Sequence, residues 1–281
     1  MSIAATAQQR IGPVELGGQA PLLLIAGPCV IESLQHTLAI AHRLQQIATA
    51  RGIGLVFKAS YDKANRTKGD AFRGPGLDAG LRVLAEVKAA TGLPVLTDVH
   101  DVSQVEPAAA VVDVLQVPAF LCRQTDLVVA CARSGRPVNL KKGQFVAPRD
   151  AVHMVRKAQA AGASAVSITE RGFAFGYNNL VVDMRGLAQL RQIGVPVIFD
   201  ATHSVQLPGT ADGASGGERE MVPVLARAAA AVGVDALYVE VHDAPERAPS
   251  DAANALTFEL LEQVLEAAIA IDALVSGRRR R

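Results

Sequence analysis

Tryptophan is missing from this 281-residue chain, and the other aromatics amount to three tyrosines and eight phenylalanines. The core must therefore be built from Ala, Val, Leu and Ile, which suits strands buried on both faces, as in parallel α/β proteins. Cysteine is scarce as well. Cys29, Cys122 and Cys131 form no C-x-x-C pair and no disulfide framework, so a reduced, cytoplasmic setting is expected. Neither charge sign dominates: 28 Lys and Arg stand against 27 Asp and Glu, a net charge of +1. That gives no global electrostatic case for nucleic acid or membrane. No apolar run is as long as a membrane span, and the first residues lack a basic region followed by an apolar core. Neither a spanning helix nor a signal peptide is expected.

Half the residues are hydrophobic and the mean hydropathy is +0.24. Residues 1–20 read as an N-terminal extension with turns at Gly12-Pro13 and Gly17-Gly18. Eight short aliphatic runs follow, at 22–26, 55–59, 95–97, 112–117, 138–140, 165–168, 197–199 and 236–241. Amphipathic stretches lie between them, among them 34–50, 77–90, 151–160, 184–192 and 218–231, and a last helix is expected from about 251 to 275. Glycine and proline breakers such as Gly52, Gly92-Leu93-Pro94 and Gly233 precede several of the strands. Strand alternating with helix implies βαβ units. Eight units in roughly 250 residues is the size of a single (β/α)8 TIM barrel, spanning 21–276, with 277–281 as a basic tail. A doubly wound sheet is the alternative, but no G-x-G-x-x-G follows the first strand.

The strand ends carry the chemistry. In a barrel, catalytic groups gather at the C-terminal ends of the strands. Those positions hold Cys29, Lys58, Asp98 with His100, Gln116, Lys141 with Lys142, Glu170 with Arg171, Asp200 with His203, and Glu240 with His242. A polar group at all eight is hard to attribute to packing and points to a small-molecule site. The loop after the second strand adds Ser60, Lys63, Asn65, Arg66, Thr67, Lys68 and Arg73. Cations and hydroxyls so placed suit a phosphate or carboxylate ligand, against the plainer reading of a solvated basic loop. Lys141 and Arg171 either clamp one phosphate or merely snorkel at the rim. Cys29, His203 and the nearby carboxylates would suit a borderline divalent ion, but their spacing is a weak signal and a lone cysteine is more often structural. The small polar stretch 209–217 is either a mobile lid or a disordered loop. His36, His42, His153, Cys122 and Cys131 lie in or beside helical patterns and receive no role.

The motifs I-A-G-P-C-V-I-E-S, F-K-A-S-Y-D-K-A-N-R-T, L-T-D-V-H, N-L-K-K-G-Q-F, E-R-G-F-A-F-G-Y-N-N-L and F-D-A-T-H-S-V-Q occur in that order. In them the chain resembles the 3-deoxy-D-manno-octulosonate 8-phosphate synthases, from about residue 21 to 275. The sister heptulosonate 7-phosphate synthases share G-P-C and the barrel, but carry K-P-R-T where this chain has Lys63-Ala64-Asn65-Arg66. Thr67 replaces the family's usual Ser and keeps the hydroxyl.

The resemblance implies condensation of phosphoenolpyruvate with D-arabinose 5-phosphate and water. It implies that Lys58, Ser60, Lys63, Gln116, Lys141 and Arg171 hold phosphoenolpyruvate, and that Asn65, Arg66 and Thr67 bind the pentose phosphate. Arg123 would reach in from a neighbouring subunit of a homotetramer. Lys58, Lys63, Asp98 and His203 are the expected catalytic groups. Cys29 stands where metal-independent members have Asn. With His203, Glu240 and Asp251 it makes up the family's ligand set for a divalent ion such as Zn, Fe, Mn or Co. The alternatives are the sister enzyme acting on erythrose 4-phosphate, a Schiff-base aldolase using Lys58 or Lys141, and a non-catalytic sugar-phosphate binder.

Overall fold

The computed structural model describes residues 5–211 and 214–276. At its start β1 (Gln9–Ile11) and β2 (Val14–Leu16) pair as an antiparallel hairpin turning at Gly12-Pro13. Then come β3 (Leu23–Gly27), β4 (Gly54–Lys58), β5 (Val95–Asp98), β6 (Val114–Val117), β7 (Val138–Lys141) and β8 (Val166–Glu170). A ribbon of β9 (Phe173–Ala174) and β10 (Leu180–Val181) precedes β11 (Val197–Asp200). A second ribbon of β12 (Gln206–Ala211) and β13 (Ala214–Gly217) precedes β14 (Ala236–Glu240).

The eight expected strands close into one parallel barrel in the order β11–β14–β3–β4–β5–β6–β7–β8. Each is followed by a helix: α1 (Leu34–Arg51), α2 (Leu77–Thr91), α3 (Val105–Val111), α4 (Thr125–Arg133), α5 (Ala151–Ala160), α6 (Met184–Arg191), α7 (Val222–Val232) and α8 (Phe258–Val275). This is the (β/α)8 barrel that the alternation of runs implied. The breakers act as helix stops. Gly52, Gly92 and Gly233 take the left-handed conformation, with φ of 61°, 67° and 93°, and end α1, α2 and α7.

Several boundaries differ from those expected. The helix expected at 218–231 begins at Val222, because Arg219–Met221 is a tighter 3-10 turn. The last helix begins at Phe258, where the Thr257 side chain accepts the Leu260 amide and starts it. Residues 251–257 are thus a loop. The stretch 209–217 contributes to an antiparallel ribbon rather than an unstructured loop, although Asp212 and Gly213 lie outside the described residues. The arginine tail at 278–281 also lies outside them.

Two apolar layers result. One fills the space between barrel and helices. The other fills the barrel itself with Leu23, Ile25, Val56, Leu96, Val114, Ile198 and Tyr238, closed from below by Ile11 and Leu16 of the hairpin. Gln9 Nε2 donates to Val166 O at 2.5 Å and Ala7 N to Gly194 O at 2.8 Å, which ties the hairpin to the N-terminal ends of the strands.

Beside that plug lies a buried ion pair. Asp235 Oδ2 accepts from Arg191 Nη1 at 2.9 Å, from the Val197 amide at 2.9 Å and from Thr6 Oγ1 at 3.1 Å. Asp235 is fully buried and Arg191 is 3% exposed. Asp235→Ala would leave the guanidinium and an amide without that carboxylate, a loss of about 3–5 kcal/mol. Urea unfolding of the variant should show a lowered midpoint, and a shift worth under about 1 kcal/mol would show that the pair is not what holds this end together.

Candidate active site

Two regularities put the functional side chains in one place. Parallel strands end at one rim, and alternate residues of each strand face inward. The residue two places after each inward apolar residue therefore points into the mouth. Val56 is followed by Lys58, Leu96 by Asp98, Val114 by Gln116, Ile198 by Asp200 and Tyr238 by Glu240, and all five later residues are buried. Lys141 takes the same position on β7, two after Asn139. Above them is a cavity of about 540 Å³ lined by Lys58, Lys63, Asn65, Arg66, Thr67, Asp98, Gln116, Lys141, Arg171, His203, Gln206, Glu240 and Asp251.

Cys29 sits beneath this cavity at the start of the β3–α1 loop. Gly27 puts it there: a Cβ on Gly27 would come 1.8 Å from Lys58 O, so the loop can leave β3 this close to β4 only at a glycine. Strand pairing sets Gly27 opposite Glu240. Asp251 arrives from the loop before α8 in a left-handed conformation, φ 52°. Its Oδ2 lies 3.0 Å from Cys29 Sγ and 3.8 Å from His203 Nε2, and His203 Nε2 is 3.7 Å from Glu240 Oε1. Asp200 Oδ2, 2.7 Å from His203 Nδ1, orients the ring so that Nε2 faces the carboxylates.

The sulfur of Cys29 and the carboxylates of Glu240 and Asp251 lie within 4.8 Å of one another, and the His203 imidazole adds a nitrogen 3.7 to 3.8 Å from the two carboxylates, a donor set that suits a small divalent ion. Glu240 Oε2 is buried and has no hydrogen-bond partner. Burial, with Asp251 and Glu240 adding to it, pushes the Cys29 thiol well above its ordinary range despite Lys63 and Lys58 nearby. A thiolate there needs a cation, and the donor set fits one.

A network of buried charges surrounds this group. Lys58 Nζ donates to Ser60 Oγ at 2.8 Å and lies 3.4 Å from Glu240 Oε1. Ser60 Oγ donates to Asp98 Oδ1 at 2.5 Å, and Lys63 Nζ is 3.0 Å from the same hydroxyl. Burial alone would raise Asp98, but Lys58 and His100, which is 2.9 Å from Oδ2, hold it well below the usual carboxylate range. Lys141 Nζ lies 2.6 Å from Asp200 Oδ2 and 4.1 Å from the centre of the Tyr238 ring. Burial lowers the Lys141 pKa, and Asp200 opposes that shift. Arg171 Nη2 donates to Gln206 Oε1 at 2.5 Å, while its Nε is buried without a partner. That unpartnered donor and the surrounding ammonium groups suit an anionic ligand.

The outer cavity is lined by the β4–α2 loop. Asn65 and Thr67 are exposed, while Arg66 donates to Phe72 O at 3.0 Å and to Pro249 O at 2.9 Å. Arg123 does not join them. It is exposed just before α4 and lines no part of the cavity within this chain.

The sequence reading gave no role to Gln206 or Tyr238. Gln206 Nε2 donates to Asp251 Oδ1 at 2.6 Å, so it joins Arg171 to that carboxylate. Tyr238 Oη donates to Glu240 Oε1 at 3.1 Å. Strand alternation could have found Tyr238, which lies two residues before Glu240 on the same face. No local signal marks Gln206. As an outer partner of Asp251, Gln206→Ala is expected to weaken divalent-cation binding roughly 10- to 100-fold. Competition with a coloured chelator measures it, and unchanged affinity would show that Asp251 keeps its place without the amide.

Comparison with known proteins agrees with this architecture. The sequence profile of the DAHP synthetase I family matches residues 2–276. The chain is 57% identical over 268 residues to the 2-dehydro-3-deoxyphosphooctonate aldolase of Syntrophotalea carbinolica, covering 95% of this chain and 97% of that protein. It is 57% identical over 265 residues to the protein of that name from Geotalea uraniireducens, covering 94% and 97%. With that of Geobacter sulfurreducens it shares 55% over 270 residues, covering 96% and 99%. Matched almost end to end at that identity, the chain belongs to the DAHP synthetase I family, among its 2-dehydro-3-deoxyphosphooctonate aldolases.

Proposed function

We propose that the chain condenses phosphoenolpyruvate with D-arabinose 5-phosphate and water, giving 3-deoxy-D-manno-octulosonate 8-phosphate and inorganic phosphate. The observation that carries this reading is the convergence of Lys58, Lys63, Lys141 and Arg171 on one cavity beside the cluster of Cys29, Glu240 and Asp251, with His203 next to it. Both substrates are phosphorylated, and the relatives' shared name supports the eight-carbon product. The sister reaction on erythrose 4-phosphate is less well supported, because Lys63-Ala64-Asn65-Arg66 departs from K-P-R-T. Cytoplasmic placement rests on the reduced cysteines. No helix among the described residues is long and apolar enough to cross a membrane.

In this reading Lys58, Ser60, Lys63, Gln116, Lys141 and Arg171 grip phosphoenolpyruvate. Asn65, Arg66 and Thr67 hold the pentose phosphate, completed by Arg123 from a neighbouring subunit of a homotetramer. The enol carbon attacks the aldehyde carbon of the sugar, and water adds at the carbon bearing the phosphate ester. Phosphate then leaves with the electrons of its bond to that carbon, which becomes the keto group. Arg171 and the lysines offset the charge on the phosphate as it departs.

Asp98 sits so low in pKa that it stays ionised. It is thus a weak base, suited to orienting the water and to balancing positive charge on the attacked carbon rather than to storing a proton. A divalent ion held by Cys29, His203, Glu240 and Asp251 would supply Lewis acidity towards an oxygen ligand there. His203, fixed by Asp200, keeps its Nε2 turned to that group.

Phosphate release from phosphoenolpyruvate with arabinose 5-phosphate tests the reaction. Turnover is expected with the pentose phosphate, lost on chelation and restored by a divalent ion. A preference for erythrose 4-phosphate would reject the substrate, and turnover indifferent to chelation in protein retaining no metal would reject the metal. Arg123→Ala should raise KM for arabinose 5-phosphate while leaving KM for phosphoenolpyruvate within about twofold. Equal rises in both would remove Arg123 from the pentose-phosphate site.

A further inference from the structure

A second group of ligand-type side chains lies on the same rim, outside the cavity. Glu32 ends the β3–α1 loop, His36 lies in the first turn of α1, and His242 with Asp243 follows β14. One ligand atom from each of Glu32, His36 and His242 lies within 4.8 Å of the others. Their backbone is fixed: Ser33 caps α1 by accepting the His36 amide at 3.2 Å, and the His242 amide donates to Leu256 O at 3.0 Å.

The four side chains divide into an inner and an outer set. Asp243 Oδ1 is 2.8 Å from His36 Nε2 and 3.1 Å from His242 Nδ1, so one carboxylate faces the outer nitrogen of both rings. The inner nitrogens turn to Glu32 Oε1, which is 2.8 Å from His242 Nε2 and 3.6 Å from His36 Nδ1. At 3.6 Å the second contact is no hydrogen bond. His36 Nδ1 is buried and has no hydrogen-bond partner. His36 carries a carboxylate on its far nitrogen and turns its near nitrogen towards Glu32, the orientation that metal-binding histidines usually show, while the near nitrogen of His242 meets the same Glu32 oxygen.

We propose that Glu32, His36 and His242 form a second divalent-cation site, with Asp243 as its outer carboxylate, and that it takes Zn²⁺ or a similar ion of borderline softness. The donors are two imidazoles and one carboxylate, which leave a fourth position for water, as in open zinc sites. Bonds of about 2.1 Å in a tetrahedron set ligand atoms roughly 3.4 Å apart. The 3.6 Å pair already matches, and the 2.8 Å pair needs to open by about half an ångström once the shared proton is displaced.

That proton has a place to go. In the metal-free protein the Ala244 amide, 2.9 Å from His242 Nδ1, donates to it, and Nε2–H donates to Glu32. On loading, the proton moves to Nδ1 and is donated to Asp243, and the Ala244 amide, which cannot donate to a protonated nitrogen, gives up its bond to the ring. The ion would join the loop that carries Cys29 to the segment that follows Glu240, as a staple across the seam where the barrel closes.

The site is tested on the full chain by stripping metal, dialysing against Zn²⁺ and counting zinc per chain. About two equivalents are expected in the wild type, about one in His36→Gln and in Glu32→Gln, and about one in Cys29→Ala. The two outer variants check one another, and an unchanged circular dichroism spectrum confirms that each is folded. Cobalt separates the sites. Cys29→Ala should keep visible Co²⁺ bands without a thiolate charge-transfer band, and Cys29→Ala/His36→Gln should lose them. Zinc content unchanged by both outer variants, or lost only with Cys29, would overturn the proposal. A wild type holding one zinc that the outer variants remove would support it and count instead against the inner site.

Discussion

Everything at the mouth of this barrel depends on one seam, the parallel pairing of β3 with β14. Gly27 lies opposite Glu240 across it. More than two hundred residues separate the two strands in sequence. Side chains from the first and last barrel strands meet only because eight right-twisted strands, each tilted and staggered against the next, close into a ring. A register shift of one residue here would turn Glu240 away from the mouth and bring Val239 or Val241 inward. The apolar residues below set that register. Leu23, Ile25, Val56 and Tyr238 fill the barrel, and sliding one strand would expose its share of that layer. Packing in the lower barrel therefore determines the geometry of the upper one.

The upper layer is an electrostatic construction in which no single charge is tenable alone. Glu240 is 1% exposed and Lys58 2%, while Asp200 has no exposure at all. An isolated ion at such depth would be neutralised rather than endured. Burial would raise the carboxyls of Asp200 and Glu240, but His203 and the lysines bring both far below the usual carboxylate range. Coulomb attraction outweighs desolvation because the partners are 2.6 to 3.7 Å away and already aligned. Such a layer adds little to net stability, yet it is preorganised. Its dipoles and charges are in place before a substrate arrives, and that is where electrostatic catalysis gains most.

Much of this was legible in the sequence, and the reasons are local. Short aliphatic runs, several of them preceded by glycine or proline breakers, marked all eight barrel strands, because burial on both faces favours such runs. The rim residues followed from topology once the strands were counted. What escaped notice were the elements whose signal is short or distant. The strands β9 and β10 have two residues each, too few for any period to show. In α3, Val105–Val111, four of seven residues are Ala or Pro, so no apolar stripe stands out. The plugging role of Ile11 and Leu16 is invisible because their partners lie on β3 to β6, β11 and β14. Gln206 is a site residue only through Arg171 and Asp251, one far before it and one far after it in the chain.

The placement of Asp251 shows how a residue outside the barrel strands reaches a position as well defined as theirs. The chain leaves β14 at Glu240, runs outward through Pro245–Arg247, and returns to lie against the strand it left. The Leu256 amide donates to Glu240 O at 2.9 Å and the His242 amide to Leu256 O at 3.0 Å, a parallel bridge centred on Val241. That bridge fixes the far end of the excursion. The amides of Asn254 and Ala255 then donate to Asp251 O at 2.9 and 3.0 Å, and these bonds hold the left-handed turn that points the carboxylate inward. The near end is tied elsewhere, by Arg66, whose Nη2 donates to Pro249 O. Arg66 belongs to the cation-rich loop over the outer cavity, and Pro249 stands two residues before Asp251. The cation-rich loop over the outer cavity and the segment that carries Asp251 are therefore joined by one charged contact. A ligand that drew the Arg66 guanidinium towards itself would compete with Pro249 for the same donors, and would thereby couple occupancy of the outer cavity to the position of Asp251.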